Sequence, residues 1–192
     1  MIDFVFPDGN EEKFIEMAAR LGYDSLCFVY DKETDVSRYK NSKIKIYYGI
    51  IHKNKYKIKP DFVLASSSEA DRGLIEQRKA NIIFGFEESF KKDKMHQRFS
   101  GLNHVLAQLM HDKNVAYGIN FNTILKSGPA VKAVILGRIR QNIALMRKYR
   151  LKTALASLAN DPFEMRSPHD LASFAVSLGM HPKEARDSLK LV

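Results

Sequence analysis

Along the 192 residues, apolar positions recur in two alternating rhythms. Short apolar runs bounded by turn residues predict buried strands at residues 2–6, 26–30, 44–51, 62–65, 81–84, 115–119 and 152–158. Between most of them the period lengthens to that of a helix. Residues 10–21 open on Asn10-Glu11-Glu12, with acid at the positive end of a helix dipole. They carry the stripe Phe14, Ile15, Ala18 and Leu21, and stop at Gly22. Ser66-Ser67-Ser68-Glu69 resembles a helix start, and residues 70–79 continue as a helix. Asn103 predicts the cap of a central helix. There Leu102, Val105, Leu106, Leu109 and Met110 form an apolar face, opposite His104, Gln108 and His111. Asp112-Lys113-Asn114 breaks that helix, and Asn120-Phe121-Asn122 reads as a polar loop. Gly128-Pro129 launches the longest helix, to about Tyr149, with Val131, Ile135, Ile139, Ile143 and Met146 as its inner seam. Ser167-Pro168-His169-Asp170 predicts a capping box, Gly179 ends that helix, and His181-Pro182 starts the last one.

Seven short strands separated mostly by helices imply an α/β fold of mainly parallel strands with right-handed crossovers. No glycine-rich phosphate fingerprint follows any of the strands, which weakens a dinucleotide-binding sheet. The pattern predicts a TIM-like (β/α) barrel, short or distorted, as one domain over residues 1–192.

Composition narrows the setting. The lone Cys27 permits no internal disulfide and, lying inside a strand, reads as a small buried hydrophobe. The opening MIDFVFPDGNEE is no signal peptide, and no apolar run approaches the roughly 20 residues of a membrane span. A soluble, cytoplasmic protein is expected. Its charge is unevenly placed. Residues 1–90 hold 14 Lys and Arg against 15 Asp and Glu, a balance of −1; residues 91–192 hold 17 against 7, a balance of +10. A second acid-free run, residues 36–60, carries Arg38, Lys40, Lys43, Lys45, Lys53, Lys55, Lys57 and Lys59. Lysine around strand edges serves solubility, so this run decides little. The C-terminal half is too one-sided for that and points to a polyanionic partner.

Catalytic groups of a parallel barrel lie at the C-terminal strand ends, here Asp8, Asp31, His52, Ser66-Ser67, Glu87-Glu88, Asn120-Asn122 and Asn160-Asp161. Only His52 and scattered carboxylates suit a metal-dependent hydrolase, so no metal site is assigned. His104 and His111, two turns apart, are too distant to share an ion unaided. The cations are better placed for phosphate, which the planar arginine fork grips with paired hydrogen bonds. Arg138, Arg140, Arg147, Lys148 and Arg150 cluster on or just past the longest helix, with Arg140 and Arg147 on one face. Arg98 could hold a phosphate while Phe99 stacks or joins the core. Arg166 either binds the polyanion or pairs with Glu164 or Asp170. His104 and Arg98 are expected to face outward, Leu106 and Leu109 the barrel.

The run HQRFSGLNHVLAQLMHDKNVAYGINFNTIL, a long basic helix, a strand, then MRSPHDLASFAVSLGM and PKEARDSL resembles the RNase P protein component 3 family. The opening LGYDSLCFVY is similar too, and residues 44–60 carry little of the likeness. This is the archaeal counterpart of the eukaryotic RNase P/MRP subunit related to polymerase-and-histidinol-phosphatase barrels. The resemblance implies a protein subunit of ribonuclease P, the endonuclease that removes the 5′ leader from precursor tRNA through its catalytic RNA. It implies RNase P RNA and RNase P protein component 2 as partners, precursor tRNA reached through the holoenzyme, and Mg²⁺ required by the RNA with no cofactor bound by the chain. Arg98, His104, Arg138, Arg140, Arg147, Lys148 and Arg166 become the candidate RNA-binding residues. Phosphoesterase relatives carry a His-x-His pair after the first strand, where this chain reads Asp3-Phe4-Val5-Phe6-Pro7. A free-standing metal-dependent phosphoesterase is therefore the alternative rather than the favoured reading.

Overall fold

Seven strands form in chain order: β1 (Ile2–Val5), β2 (Ser25–Tyr30), β3 (Lys45–Ile51), β4 (Phe62–Ser66), β5 (Ile82–Phe84), β6 (Ala116–Asn120) and β7 (Thr153–Ala156). The structure, a computed structural model, describes every residue except 40–41, 53–55, 89–91, 94–97 and 191–192. Lys40, Lys53 and Lys55, and the His96-Gln97 lead-in to Arg98, therefore lie outside the described residues. Each strand pairs in parallel with the next. Past the end of β7, Leu158 N–H donates to Phe4 C=O at 2.9 Å and Phe6 N–H to Ala159 C=O at 2.8 Å, joining the last strand to the first. The result is the expected distorted TIM-like barrel. Distortion enters where, among the described residues, β3 returns to β4 without an α-helix and β2 reaches β3 through a short 3-10 turn, Ser37–Tyr39.

The closing seam is polar inside. Asp3, fully buried on β1, accepts from Ser157 N at 2.7 Å, Ser157 Oγ at 2.6 Å and Phe4 N at 2.9 Å. Burial raises its carboxyl to about 6, and the three donors only partly offset this. The bore is packed by unequal partners. Large rings such as Phe4 and Phe62, edge to face at 5.3 Å, lie with Ala116, Ala154 and Ala156 in one core cluster. Gly118 is glycine because a Cβ there would stand 2.4 Å from the Phe84 ring. Cys27 is buried in the same cluster.

The helices are α1 (Glu11–Leu21), α2 (Asp71–Glu76), α3 (His104–Lys113), α4 (Phe121–Lys126), α5 (Pro129–Tyr149), α6 (Pro168–Ser177) and α7 (Pro182–Asp187). Asn103 caps α3 through Leu106 N–H at 2.9 Å, as its residue type predicts. Two faces differ from the periodic reading. Val105 is 50% and Val131 57% exposed, while Ala107 and Met110 of α3 and Ile135, Ile139, Ile143 and Met146 of α5 are buried. Residues 120–122 are no loop: Asn120 caps α4, its side chain accepting from Thr123 N. Ser167 does cap α6, but the reciprocal capping box sits one helix later, where Glu184 accepts from His181 N–H at 2.8 Å.

Candidate nucleic-acid interface

A strand followed by a helix fixes direction: α1, α2, α3, α5 and α6 leave from the side of the barrel's C-terminal mouth and run back toward its N-terminal end. The seven candidate residues are thereby divided. Arg98, His104 and Arg166 lie toward the mouth, Arg138 and Arg140 midway along α5, Arg147 and Lys148 at its far end. They do not form one site.

Arg138 is a structural cation. Only 4% exposed, it donates from Nε to Asp93 at 2.9 Å and from Nη1 to the Glu87 carbonyl at 2.9 Å. Asp93 also accepts from Phe99 N at 2.9 Å and sits 3.5 Å from Arg98 Nη1. Partial burial pushes the Asp93 carboxyl up, but the Phe99 amide and Arg138 outweigh it and hold the group below its ordinary value. Arg98 lies across α5 where Gly137 leaves room, since a Cβ there would meet its Nη1 at 2.5 Å. Behind them Glu87 is buried, its Oε1 accepting from the Tyr117 hydroxyl and from Asn142 Nδ2 at 3.1 Å. Burial raises Glu87 to about 7, the Tyr117 and Asn142 hydrogen bonds opposing it. This network fastens the stretch after β5 to α5.

Arg147 is engaged as well. Its Nε and Nη2 grip Glu184 at 2.9 and 2.7 Å, and Nη2 also donates to Gly179 C=O at 2.8 Å, tying α5 to the α6–α7 turn. The Arg147 guanidinium holds Glu184 below its usual range. Arg166 pairs with neither Glu164 nor Asp170. It donates to the carbonyls of Phe163 and Met165 at 3.1 and 2.7 Å, and Glu164 takes Lys126 instead, at 2.7 Å. His104, Arg140 and Lys148 are exposed, and no ion pair holds them among the described residues.

At the mouth lies a cavity of about 1270 Å³, floored by Phe6, Ile51, Phe84 and Leu158 and rimmed by Ser66, Ser67, Glu88, Phe99 and Asn120. Several of its polar groups are engaged locally. Ser67 donates to Asp71 at 2.6 Å, Glu88 accepts from Thr123 at 2.8 Å, and Asn120 caps α4. His52 Nδ1 lies 3.2 Å from the Tyr56 hydroxyl. Among the described residues, no three His, Cys, Asp or Glu side chains converge in a way that could hold a metal.

The opposite end has different chemistry. Hydrogen bonds join the turns that lead into β5, β6 and β7: Ala116 N–H donates to Asn81 C=O at 2.8 Å and Tyr117 N–H to Lys152 C=O at 2.9 Å. His111 Nδ1 lies 3.1 Å from Arg150 C=O. These turns carry Arg78, Lys79, Lys113, Lys148, Arg150 and Lys152, none with a carboxylate partner among the described residues. Of the six, only Lys148 belongs to the residues singled out in the sequence for binding, although Arg150 stood in the same basic cluster.

Fold and charge together define a TIM-like barrel that carries, at the end opposite its mouth, a group of cations with no carboxylate partner among the described residues. A model of the RNase P subunit p30 family matches residues 91–191, and the chain belongs to that family of ribonuclease P protein subunits. Ribonuclease P protein component 3 of Methanococcus maripaludis (strain S2) is 28% identical over 185 residues, covering 85% of this chain and 77% of that protein. The protein of the same name from Methanothermobacter thermautotrophicus is 29% identical over 138 residues, 71% of this chain and 54% of its own. In structure, a chain of archaeal ribonuclease P with mature tRNA superposes with a TM-score of 0.81 at 23% identity, over 98% of this chain and 87% of that one. The A. niger ochratoxinase shares the barrel at a TM-score of 0.60 and 10% identity, over 98% of this chain and 69% of that one.

Proposed function

We propose that this ribonuclease P subunit binds the enzyme's catalytic RNA and stabilises its active form for removal of the 5′ leader from precursor tRNA. Family membership supplies the setting. The observation that carries the RNA-binding reading is the charge of residues 91–192, 17 basic against 7 acidic, with many of those cations exposed and without an ion pair among the described residues. Cations that meet phosphates release condensed counterions and relieve the repulsion of a folded polyanion. The chain's own work is then electrostatic, with Mg²⁺ serving the RNA, precursor tRNA reached through the holoenzyme, and ribonuclease P protein component 2 as a protein partner in the cytoplasm. Support for the tRNA link is that the chain with TM-score 0.81 comes from a ribonuclease P bound to mature tRNA.

The test is precursor tRNA cleavage by reconstituted ribonuclease P at limiting Mg²⁺, with and without this chain. Addition of the chain should raise cleavage and lower the Mg²⁺ requirement, and excess Mg²⁺ should narrow the difference. Equal cleavage with and without the chain at every Mg²⁺ level would overturn the reading.

A further inference from the structure

Five helices end in the same left-handed turn, closed by two backbone hydrogen bonds. After α1 the turn residue is Gly22 and after α6 Gly179, with φ of 84° and 104°. After α3 it is Asn114, φ 58°. After α2 and α5 it is arginine: Arg78 at φ 51° and Arg150 at φ 52°. In each the turn amide reaches back three residues and the next amide five, as in Arg78 N–H to Ile75 C=O at 3.0 Å and Lys79 N–H to Leu74 C=O at 2.9 Å. The left-handed conformation crowds a Cβ against the backbone, so glycine is the usual occupant and asparagine the common substitute. Arginine has neither advantage. A cation does gain from the negative end of a helix dipole, but a residue in the last helical turn collects that gain without the strain. Arg147 and Lys148 already occupy that place on α5. Neither Arg78 nor Arg150 makes an ion pair among the described residues, and both are exposed. Strained backbone with no local return is a mark of function carried elsewhere.

Both arginines stand at the N-terminal end of the barrel, in the sector of β5 to β7. Lys79, Lys113, Lys148 and Lys152 share that sector. Neighbouring strands in a sheet are about 4.8 Å apart, so three consecutive lead-in turns bring these charges onto one surface. The acids nearby are occupied: Glu76 by Arg72 at 2.8 Å, Asp112 by Gln108 at 2.8 Å and Asp187 by Lys190 at 2.6 Å. Around the rim, before β2, the corresponding turn holds Gly22 and Asp24, the latter paired with the chain's amino terminus. Lys43 and Lys45 before β3 and Lys57 and Lys59 before β4 are also exposed without an ion pair among the described residues, so what sets the β5–β7 sector apart is its two arginines in left-handed turns.

We infer that the N-terminal rim of the barrel at β5–β7, built on Arg78 and Arg150, is the phosphate-binding surface by which this chain holds RNA, and that the mouth is not. The inference rests on the RNA-binding reading above and names its surface. It moves the interface away from Arg138, which is buried and bonded within the fold, and from Arg98 and Arg166, each of which spends part of its guanidinium there.

The strain itself supplies the test. Arg78→Gly and Arg150→Gly remove charge while relieving the left-handed turn. Asn114→Gly relieves the same strain between them without changing charge. Each variant is added to ribonuclease P RNA with the remaining protein subunits, and its binding is followed across a salt series. The two arginine variants should each flatten the log–log salt slope by about 0.7–0.9, and the double variant by about twice that. Their melting temperatures should hold or rise. Asn114→Gly, and Lys13→Gln on the outer face of α1, should leave the slope as in the wild type. If Arg78→Gly and Arg150→Gly bind with an unchanged slope while wild type binds with a steep one, the inference is wrong and the RNA-binding reading stands. If Asn114→Gly weakens binding equally, turn geometry and not charge is responsible, which also overturns it. Loss of a protein subunit from the assembly at an unchanged slope would assign the rim to a protein partner instead. Wild-type chain that fails to bind the RNA-containing assembly would sink both readings.

Discussion

Glu87 combines the two traits by which catalytic acids are usually recognised, a strand-end position and a strongly raised carboxyl, yet its contacts are all to the fold. The folded group keeps its proton up to about pH 7, while the unfolded one releases it near the ordinary 4.5. Its contribution to stability is therefore complete below about pH 4.5 and is lost as pH rises through 7, at most about 3 kcal/mol for a shift of this size. Glu87→Gln should flatten the melting temperature between pH 5 and about pH 8 and raise it at the alkaline end, because an amide still accepts from Tyr117 and Asn142 without ionising. Thermal melts over that range check it; a Gln variant that tracks the wild-type pH curve would assign the dependence to the other carboxyls raised by burial, Asp3 and Asp71. Arg138 teaches the converse. It follows Ile135 by three residues, and Asn142 follows Ile139 by three, so helical spacing alone sets both on the seam side. Its burial was legible in the sequence. The left-handed backbone of Arg78 and Arg150 was not, since nothing in an arginine's identity announces positive φ.

At the level of elements, caps and strands were the most legible features and helix faces the least. Gly22, Asn103, Gly128-Pro129 and Ser167 mark ends that the structure keeps. Strand positions agree within a residue or so until β7, whose regular part stops at Ala156. A periodic stripe extends a turn beyond the buried face at Val131, one turn before Ile135 where the buried seam of α5 begins. On α3 the stripe includes the exposed Val105 and leaves out Ala107, a small buried residue that contributes little to any hydrophobic stripe. The energetic consequence is direct. Met110→Ala should cost about 2–5 kcal/mol through the cavity it leaves, whereas Val105→Ala should fall within about 0.5 kcal/mol of wild type. Denaturant melts of the two variants measure this, and equal losses would mean that the faces of α3 are assigned wrongly. Leu106 and Leu109, only partly buried against the core, should lie between them.

For the molecule as a whole, sequence distance and spatial adjacency part company at the seam, where Asp3 meets a residue 154 positions later. Cations scattered from Arg78 to Lys152 meet on one rim for the same reason: consecutive strands stand side by side, so their lead-in turns do too. Charge asymmetry along the chain was visible from the start, but its concentration at one end of a barrel required the closed sheet. That closure also sets an order of events during synthesis. At roughly 5–20 residues per second, β1 leaves the ribosome roughly 8–30 s before the strand that covers its outer edge. Through that interval one side of β1 has no partner and is a template for pairing with another nascent chain. An ionised Asp3 makes that exposed edge a poor template, and the same carboxylate later becomes the acceptor that draws Ser157 into place. On this account Asp3 guards an unfinished edge before it locks a finished one. Ribosome-stalled chains ending near residue 150 should then aggregate more when they carry Asp3→Val than when they carry the native residue. Sedimentation of the two nascent complexes makes the comparison, and equal pelleting would leave Asp3 with its role in the closed barrel alone.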